Sequence, residues 1–559
     1  MKTVIYQMFT RLFGNLNHTN RPWGTLADNG SGKFNNIDAA TLRRIRELGA
    51  THVWYTGVLR HASVTDYSRF GIPRQHPHVV KGIAGSPYAV CDYYDVDPDL
   101  AVDVARRMDE WEALVARTHR ARLKVVMDFV PNHVARQYQS IAKPAGAIDL
   151  GEADNREWHF SVHNNFYYCW GQPLDLSEIP LPTHAPSAAE SYREQPARAT
   201  GNDRFNNRPT QNDWYETVKL NYGIDYCDAG GRSNHFDPVP DTWQKMTDIL
   251  LFWASKGVDA FRCDMAEMVP AEFWAWATAI VKRQHPDIIF IGEVYNPSDY
   301  RRYIAAGFDL LYDKVGMYDC LRDVVCGRRP ASAITYEWEA TDDIRSHMLY
   351  FLENHDEQRA AGDYFAGDAR RALPAFMVCA WLQQNPVMLY AGQEFGERGM
   401  QAEGFSGQDG RTTIFDYWSP DSLRHGYYQR HKMTPSEKAL EQRYRKILTV
   451  ARTEKAIADG SFFDLMYAQG AAFDRRNLYA FMRKAGHETL LIVINFADSP
   501  LAAAINLPRH AFDYLGMTEG VVTAKDVMTG RKCELELAAN VEFSIKVPAL
   551  GSIVLKFKS

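Results

Sequence analysis

Eight short runs rich in β-branched and aromatic residues alternate along this chain with longer segments whose apolar residues recur at helical spacing. The runs are 4–9, 52–58, 124–130, 259–265, 288–294, 309–313, 348–356 and 386–394. Segments between them, such as TLRRIRELG and WQKMTDILLFWASKG, end at glycine, which often stops a helix. Eight strand–helix units predict an α/β fold, a closed (β/α)8 barrel whose functional residues lie at the C-terminal ends of the strands.

Two regions depart from this alternation. About a hundred residues separate the third strand from the helix near residue 240, far more than the usual loop of about two to six residues. The last hundred or so residues are short strands parted by turn residues, as in an antiparallel β-sandwich. We therefore predict a barrel over 1–138 and 228–460, an inserted subdomain over 139–227, and a C-terminal sandwich over 461–559.

Composition argues against some classes of partner. The 559 residues include 63 basic and 69 acidic side chains, a net charge of -6, without a long run of one sign, which argues against nucleic acid. No stretch of eighteen apolar residues occurs, so we predict no membrane partner. The N-terminus lacks the features of a secretory signal, and the eight cysteines form no CxxC pair. These features predict a cytoplasmic protein with reduced thiols, or a periplasmic one if a signal was removed.

The fourth predicted strand carries an unusual density of charge. The stretch GVDAFRCDMAEMVP (257–270) contains Asp259, Arg262, Asp264 and Glu267, although unpaired charges in a core are costly. Residues two apart share a strand face, so Arg262 and Asp264 point together into the barrel mouth, where the guanidinium favours the ionised acid. We expect Asp259 to be satisfied locally at the strand start and Glu267 to lie beyond the rim.

Acidic residues also lie near the C-terminal ends of other predicted strands. Glu293 lies at the end of the fifth predicted strand, 29 residues after Asp264, and Asp356 ends the seventh, 63 residues later. The third strand adds Asp128 and His133 to the same face. Because these strand ends share one rim, the side chains are predicted to converge.

Several interpretations are compatible with this convergence. The carboxylates could bind a divalent metal together with His133 and His355. In glycoside hydrolysis, one carboxylate attacks the anomeric carbon and a second, about 5 Å away in retaining enzymes, protonates the leaving oxygen. Ion pairs that only close the barrel end, and a barrel that binds carbohydrate without catalysis, are further alternatives.

Four short sequence blocks resemble those of a known family and occur in the same order along the chain. DFVPNH (128–133), GVDAFRCD (257–264), GEV (292–294) and ENHD (353–356) resemble the four sequence regions of the α-amylase family, glycoside hydrolase family 13. GATHVW (49–54) and YAGQE (390–394) fit its second and eighth strands. The resemblance spans nearly the whole chain and implies cleavage of α-1,4-glucosidic bonds in α-glucans or maltooligosaccharides by double displacement.

The resemblance also implies residue roles. Asp264 would be the nucleophile, Glu293 the general acid and base, and Asp356 the stabiliser of the transition state. The implied substrate-binding residues are Tyr88 in YAVCDYY, His133, Arg262 and His355. The implied partner is an α-glucan oligosaccharide. A transglycosylase or isomerase of the trehalose-forming type would use the same triad, since water exclusion separates the two outcomes.

Two differences from the usual family pattern indicate which branch of the family this chain resembles. Glu267-Met268 stands where many starch-acting members have Lys-His, and DMAEMVP resembles the neopullulanase and cyclomaltodextrinase branch. In TVKLN (217–221), Lys219 stands where calcium-dependent members have an aspartate. We therefore predict no metal cofactor, and Asn132 would be a ligand if calcium were bound. The sequence leaves the oligomeric state open.

Two further features suggest contacts with sugar. The Gly-rich segment 396–418, after the eighth strand, is long enough to border the cleft. Five aromatic residues in and near the insertion offer faces for pyranose stacking: Trp158, Tyr167, Tyr168, Trp170 and Trp214.

Overall fold

The computed structural model describes residues 2–183, 190–228 and 230–559. Its largest sheet has eight parallel strands in the order β7-β6-β5-β4-β3-β2-β1-β8. The strands are β1 (Val4–Phe9), β2 (His52–Thr56), β3 (Lys124–Phe129), β4 (Ala260–Cys263), β5 (Ile289–Gly292), β6 (Leu310–Tyr312), β7 (Met348–Leu349) and β8 (Val387–Tyr390). A parallel bridge from Tyr350 to Val387 joins the two ends of the sheet. The predicted (β/α)8 barrel is confirmed.

The barrel interior explains why the strands are apolar on both faces. Each strand contributes one side chain to a single internal cluster: Ile5, Trp54, Val126, Ala260, Ile291, Tyr312, Leu349 and Met388. The opposite faces of the strands pack against the surrounding helices in the main core. A parallel strand buried on both sides reads as a continuous apolar run, which is the pattern the sequence shows.

The helices before residue 460 belong to the barrel part of the chain, and Arg509–Leu515 lies in the C-terminal region. The helices are Leu26–Asn29, Ala39–Leu48, Arg107–Arg120, Asp241–Ser255, Ala271–Gln284, Tyr300–Ala305, Asp319–Val325, Ala333–Ala340, Ala372–Trp381, Asp421–Leu423, Pro435–Thr453, Lys455–Ala458 and Arg509–Leu515. The Asp38 side chain accepts a hydrogen bond from Thr41 N at the start of Ala39–Leu48, and Gly49, with φ of 128°, follows its end. Such caps satisfy backbone groups that the helix itself leaves unpaired.

Short antiparallel ribbons build the segment inserted after β3. They pair His133–Ala135 with Thr217–Lys219, Tyr168–Cys169 with Ala197–Arg198, and Ile224–Asp228 with Gly231–Asn234. The first ribbon begins only four residues after β3 ends, so it holds the insertion over the barrel mouth. Pairing continues past residue 227, the end predicted for the insertion.

The C-terminal region is antiparallel, in agreement with the predicted sandwich. Its strands are β9 (Ser461–Asp464), β10 (Leu478–Ala485), β11 (Glu488–Asn495), β12 (Leu501–Asn506), β13 (Gly520–Asp526), β14 (Lys532–Leu537), β15 (Glu542–Val547) and β16 (Gly551–Lys558). One sheet has the order β9-β10-β11-β16-β13-β14, and β12 pairs with β15. The buried Arg483 donates to Leu382 O at 2.6 Å and to Gly460 O at 2.9 Å, linking this region to the barrel helices. Within the described ranges, no helix has the length and apolar character needed to cross a membrane.

Candidate active site

One buried arginine joins the acids at the centre of the barrel mouth. Arg262, in β4, places Nη1 2.8 Å from Asp264 Oδ1 and Nη2 2.8 Å from Glu293 Oε2. Nη1 also lies 3.6 Å from Asp128 Oδ1, and Nε donates to Tyr312 Oη at 3.2 Å. A single planar guanidinium therefore holds three carboxyl groups from three neighbouring strands, and the predicted pairing of Arg262 with Asp264 is present.

The electrostatics of this cluster differ from the sequence-based expectation. Burial raises the pKa of Asp264 well above its usual range; Arg262 opposes this, while Glu293, Asp356 and Asp128 add to it. Burial likewise raises the pKa of Asp128 to about 6 against the effect of Arg262. The guanidinium alone does not fix Asp264 as ionised, because three buried carboxyl groups share it and burial disfavours the charged form of each acid. Asp264 and Asp128 therefore hold protons more tightly than exposed aspartates do.

Glu293 is fixed through both of its oxygens. Oε2 accepts a hydrogen bond from Met265 N at 2.7 Å, and Oε1 accepts one from Tyr295 Oη at 2.5 Å. Met265 adopts a left-handed backbone conformation, with φ of 43°, that turns the chain after Asp264. Glu267 accepts from the backbone N of Tyr295 and of Asn296, each at 3.0 Å, so this residue outside the barrel fixes the loop after β5.

A second group of side chains adjoins the Arg262 cluster, since the Arg262 guanidinium carbon lies 5.5 Å from the centroid of the Tyr88 ring. Tyr88 Oη is 2.5 Å from His355 Nε2, and the two rings are stacked with centroids 5.3 Å apart. His355 Nδ1 lies 2.8 Å from Gln7 Nε2, and His355 Nε2 lies 3.1 Å from Asp356 Oδ2. Burial lowers the pKa of His355 well below its usual value, with Arg262 acting in the same direction, so the imidazole is neutral. Asp356 remains the most open of the acids, with 39% of its side chain exposed.

His133 approaches from the inserted segment. Its ring centroid lies 5.1 Å from that of Trp214. Burial lowers the pKa of His133 to about 3, and Lys219 and Lys81 contribute to the shift. A neutral histidine can donate or accept a hydrogen bond at a sugar hydroxyl without introducing a charge.

These side chains share one cavity of about 240 Å³. Five predicted residues line it: Tyr88, His133, Asp264, Glu293 and Asp356. Arg262 and His355 are buried and reach the cavity through Asp264, Glu293 and Tyr88, which they contact. The structure therefore brings all seven predicted residues to one site.

Sequence analysis did not assign several other lining residues: Lys81, Ser86, Glu216, Thr217, Met265, Tyr295, Ile414 and Phe415. Ile414 and Phe415 belong to the segment 396–418 that was expected to border the cleft. Tyr295 stands two residues after Glu293, a spacing that offered a signal. Of the aromatic candidates, Trp214 lines the cavity, Tyr167 and Tyr168 are buried, and Trp158 and Trp170 are exposed.

Lys219 stands at the position where the family resemblance would place a calcium-binding aspartate. Its Nζ lies 2.7 Å from Asp203 Oδ1, donates to Met268 O at 3.3 Å, and is hydrogen-bonded to Asn132 Oδ1. These oxygens already face a buried ammonium group, so the residues present do not fit a calcium ion.

The acids and histidines of the mouth do not gather as metal ligands. In the part of the chain that the structure describes, the one set of three side chains with ligand atoms close enough to share an ion is Asp225, Asp228 and His235, in the last ribbon of the insertion. The acids of the mouth instead surround Arg262, an arrangement suited to acid and base chemistry.

The sequence of this chain is similar to that of a known family. Residues 7–456 match the sequence family described as "Alpha amylase, catalytic domain". The chain is 26% identical over 404 residues to alpha-amylase MalA of Haloarcula japonica, covering 71% of this chain and 44% of that protein. It is 20% identical over 528 residues to neopullulanase 2 of Thermoactinomyces vulgaris, covering 91% of this chain and 72% of that one. The matched part thus spans less than half of the MalA chain.

Solved structures show the same fold. A noncanonic maltogenic alpha-amylase from Thermotoga neapolitana superposes with a TM-score of 0.63 at 18% identity, covering 100% of this chain and 99% of that one. An alpha-amylase from Geobacillus thermoleovorans, complexed with acarbose, gives a TM-score of 0.65 at 17% identity, with coverages of 100% and 98%.

Proposed function

Because this chain belongs to the α-amylase family, glycoside hydrolase family 13, we propose that it is a retaining hydrolase of α-1,4-glucosidic bonds in α-glucan oligosaccharides. The observation that carries the proposal is the Arg262 bridge, with 2.8 Å contacts to both Asp264 and Glu293. One guanidinium spanning both acids holds them side by side at the same cavity, as a nucleophile and an acid that act on one glycosidic bond must be.

In the first step, an Asp264 oxygen attacks the anomeric carbon while the bond from that carbon to the leaving oxygen breaks. Glu293 gives its proton to the leaving oxygen, so the shortened sugar departs as a neutral alcohol. The acid must hold this proton until the leaving oxygen receives it, and Glu293 lies in the cavity beside Asp264 as this role requires. Asp264 is ionised for the attack, and Arg262 stabilises that form.

In the second step, water attacks the same carbon and displaces Asp264. Glu293, now ionised, takes the proton of the water, so both acids return to their starting states. Asp356, His355 and His133 are proposed to hold sugar hydroxyls, and Tyr88 to lie under the sugar ring. Their positions around one cavity support these roles.

We further propose that the protein needs no calcium ion between the barrel and the insertion. The support is the Lys219 ammonium, whose contacts to Asn132, Asp203 and Met268 use oxygens that a cation would otherwise bind. A cytoplasmic location remains a prediction, as does the absence of membrane and nucleic-acid partners.

The test is product analysis over time. Wild type and Asp264→Asn are incubated separately with maltoheptaose, β-cyclodextrin and pullulan, and the products are resolved by chromatography. We expect shorter oligosaccharides from maltoheptaose with wild type, and a loss of about 10³-fold or more in the variant because the nucleophile is gone. Thermal unfolding at a similar temperature is the control that the variant is folded.

The other outcomes are informative. Longer or rearranged sugars would favour a transglycosylase or isomerase that uses the same acids. A preference for the ring would favour the cyclomaltodextrinase-like branch. No product from any of the three substrates would contradict the proposed function.

A further inference from the structure

Two loops that are far apart in sequence meet at one end of the cavity. Lys81 and Ser86, from the loop after β2, and Ile414 and Phe415, from the loop after β8, all line it. We call residues 81–86 and 414–417 together the end wall. Ala84 N donates to Phe415 O at 3.2 Å, so the two loops are joined through their backbones.

The end wall is fixed by buried contacts. Arg11 Nη1 donates to Ile414 O at 3.0 Å and to Gly85 O at 3.1 Å, so one guanidinium holds both loops. Tyr417 is buried against Ile83 and Ala84. A wall held by buried hydrogen bonds and packing is expected to stay in place when substrate arrives.

Glycine at position 82 allows the loops to approach this closely. Gly82 has φ of +68°, and a side chain there would overlap the carbonyl oxygen of Phe415. A second contact ties the wall to the inserted segment, because Lys81 Nζ lies 3.1 Å from Glu216 Oε2.

Strand order places the end wall across the mouth from the acid. In the closed sheet, β1 lies between β8 and β2, whose loops form the wall, and β5 stands four strands from β1 in either direction. Glu293 follows β5. The leaving sugar departs on the side of the acid that protonates it, so the rest of the bound sugar extends toward the end wall.

The cavity that the acid and the end wall both line is small. The cavity of about 240 Å³ lies below the about 300–1,000 Å³ of pockets that hold drug-sized ligands. A cavity of this size suits one sugar ring over the Tyr88 face, and the end wall lines it on the side away from Glu293.

We infer that the end wall restricts cleavage to the non-reducing ends of linear α-glucans, from which single glucosyl units are removed. The inference rests on the proposed function, whose two steps it leaves unchanged. Asp264 bonds to the terminal glucosyl unit, Glu293 protonates the oxygen of the next sugar, and water then releases glucose. A cyclic glucan has no end to enter the cavity and is not a substrate.

The test uses three matched substrates: maltoheptaose, maltoheptaose carrying a 4,6-O-ethylidene group on its non-reducing sugar, and β-cyclodextrin. We expect glucose as the first product from free maltoheptaose and at least about 100-fold slower cleavage of the other two. Cleavage of the blocked chain or the ring at a similar rate would overturn the inference alone. No cleavage of free maltoheptaose would overturn the proposed function and this inference with it.

A variant tests whether the wall is the cause. We divide the cleavage rate of the ethylidene-blocked maltoheptaose by that of free maltoheptaose. In Ile414→Ala/Phe415→Ala, this ratio is expected to rise at least tenfold. Phe405→Ala is the matched control, since its ring packs 5.1 Å from that of Phe415 but does not line the cavity. An unchanged ratio in a folded double variant would contradict the role of the wall. A ratio that rises equally in the control would show that looser packing, not an opened wall, is responsible.

Discussion

Tyr295 donates a hydrogen bond to Glu293, with 2.5 Å between Oη and Oε1. The other carboxyl oxygen, Oε2, already faces Met265 N at 2.7 Å and Arg262 Nη2 at 2.8 Å. Because two donors occupy Oε2, the proton for the leaving group belongs on Oε1. Tyr295 is thus a positioning residue that orients this proton.

Tyr295→Phe is expected to lower kcat on maltoheptaose about tenfold, the effect of losing one hydrogen bond worth about 1.4 kcal/mol. The loss is expected to be smaller on a 4-nitrophenyl α-glucoside, whose leaving group departs with little help from an acid. Steady-state kinetics on both substrates make the comparison. Tyr336→Phe, at an exposed ring, is the control. Equal losses on the two substrates would contradict a role through Glu293.

Lys219→Met is expected to destabilise the fold by about 2 kcal/mol, because Asn132 and Asp203 lose a charged donor. Denaturant unfolding of the variant and wild type measures the difference. Lys282→Met is a matched control, since Lys282 pairs with Asp309 at 2.8 Å where both side chains are partly exposed. A loss no larger than that of the control would mean that the Lys219 contacts add little to stability.

Excess EDTA is expected to leave the Tm and activity of the wild type unchanged, because Lys219 supplies the positive charge between barrel and insertion. Thermal unfolding and maltoheptaose cleavage, each with and without chelator, check this. A fall in Tm that calcium reverses would contradict the proposal. Lys219→Asp offers a second arm: if the remaining oxygens are suited to calcium, added calcium raises the Tm of this variant alone.

The raised pKa of the buried Glu394 predicts that the free energy of unfolding depends on pH. Burial raises its pKa from an ordinary 4.5 to about 7, while Tyr6 and Tyr427 donate to its Oε1 at 2.7 and 3.0 Å and lower it. Between pH 4.5 and 7 the folded state keeps a proton that the unfolded chain has released, so stability falls as pH rises through that window. The contribution is about 3 kcal/mol, since each pKa unit corresponds to about 1.4 kcal/mol.

Glu394→Gln removes this titration. We expect the loss of stability between pH 5 and pH 8 to shrink in the variant, as measured by denaturant unfolding at the two pH values. The exposed Glu272→Gln serves as control and is expected to behave as wild type. An unchanged pH profile in the Glu394 variant would assign the titration to other groups.

The sequence by itself determined the barrel and the identity of the acids. Strands buried on both faces have continuous apolar sequences, and the acids at their C-terminal ends, such as Asp264 and Glu293, lie at the mouth of the barrel. Both signals are local, so spacing along the chain is sufficient to recognise them. The resemblance to the α-amylase family then assigned a role to each residue.

Tertiary structure alone decided what surrounds the acids. Ala84 and Phe415 lie more than three hundred residues apart, and their contact exists only because the closed barrel brings β2 and β8 to either side of β1. The raised pKa of Asp264 likewise depends on burial and on acids from other strands, which no spacing of residues reveals. Contacts between distant loops and exclusion from water are properties of the folded chain, and they set the size of the cavity and the proton affinity of its acids.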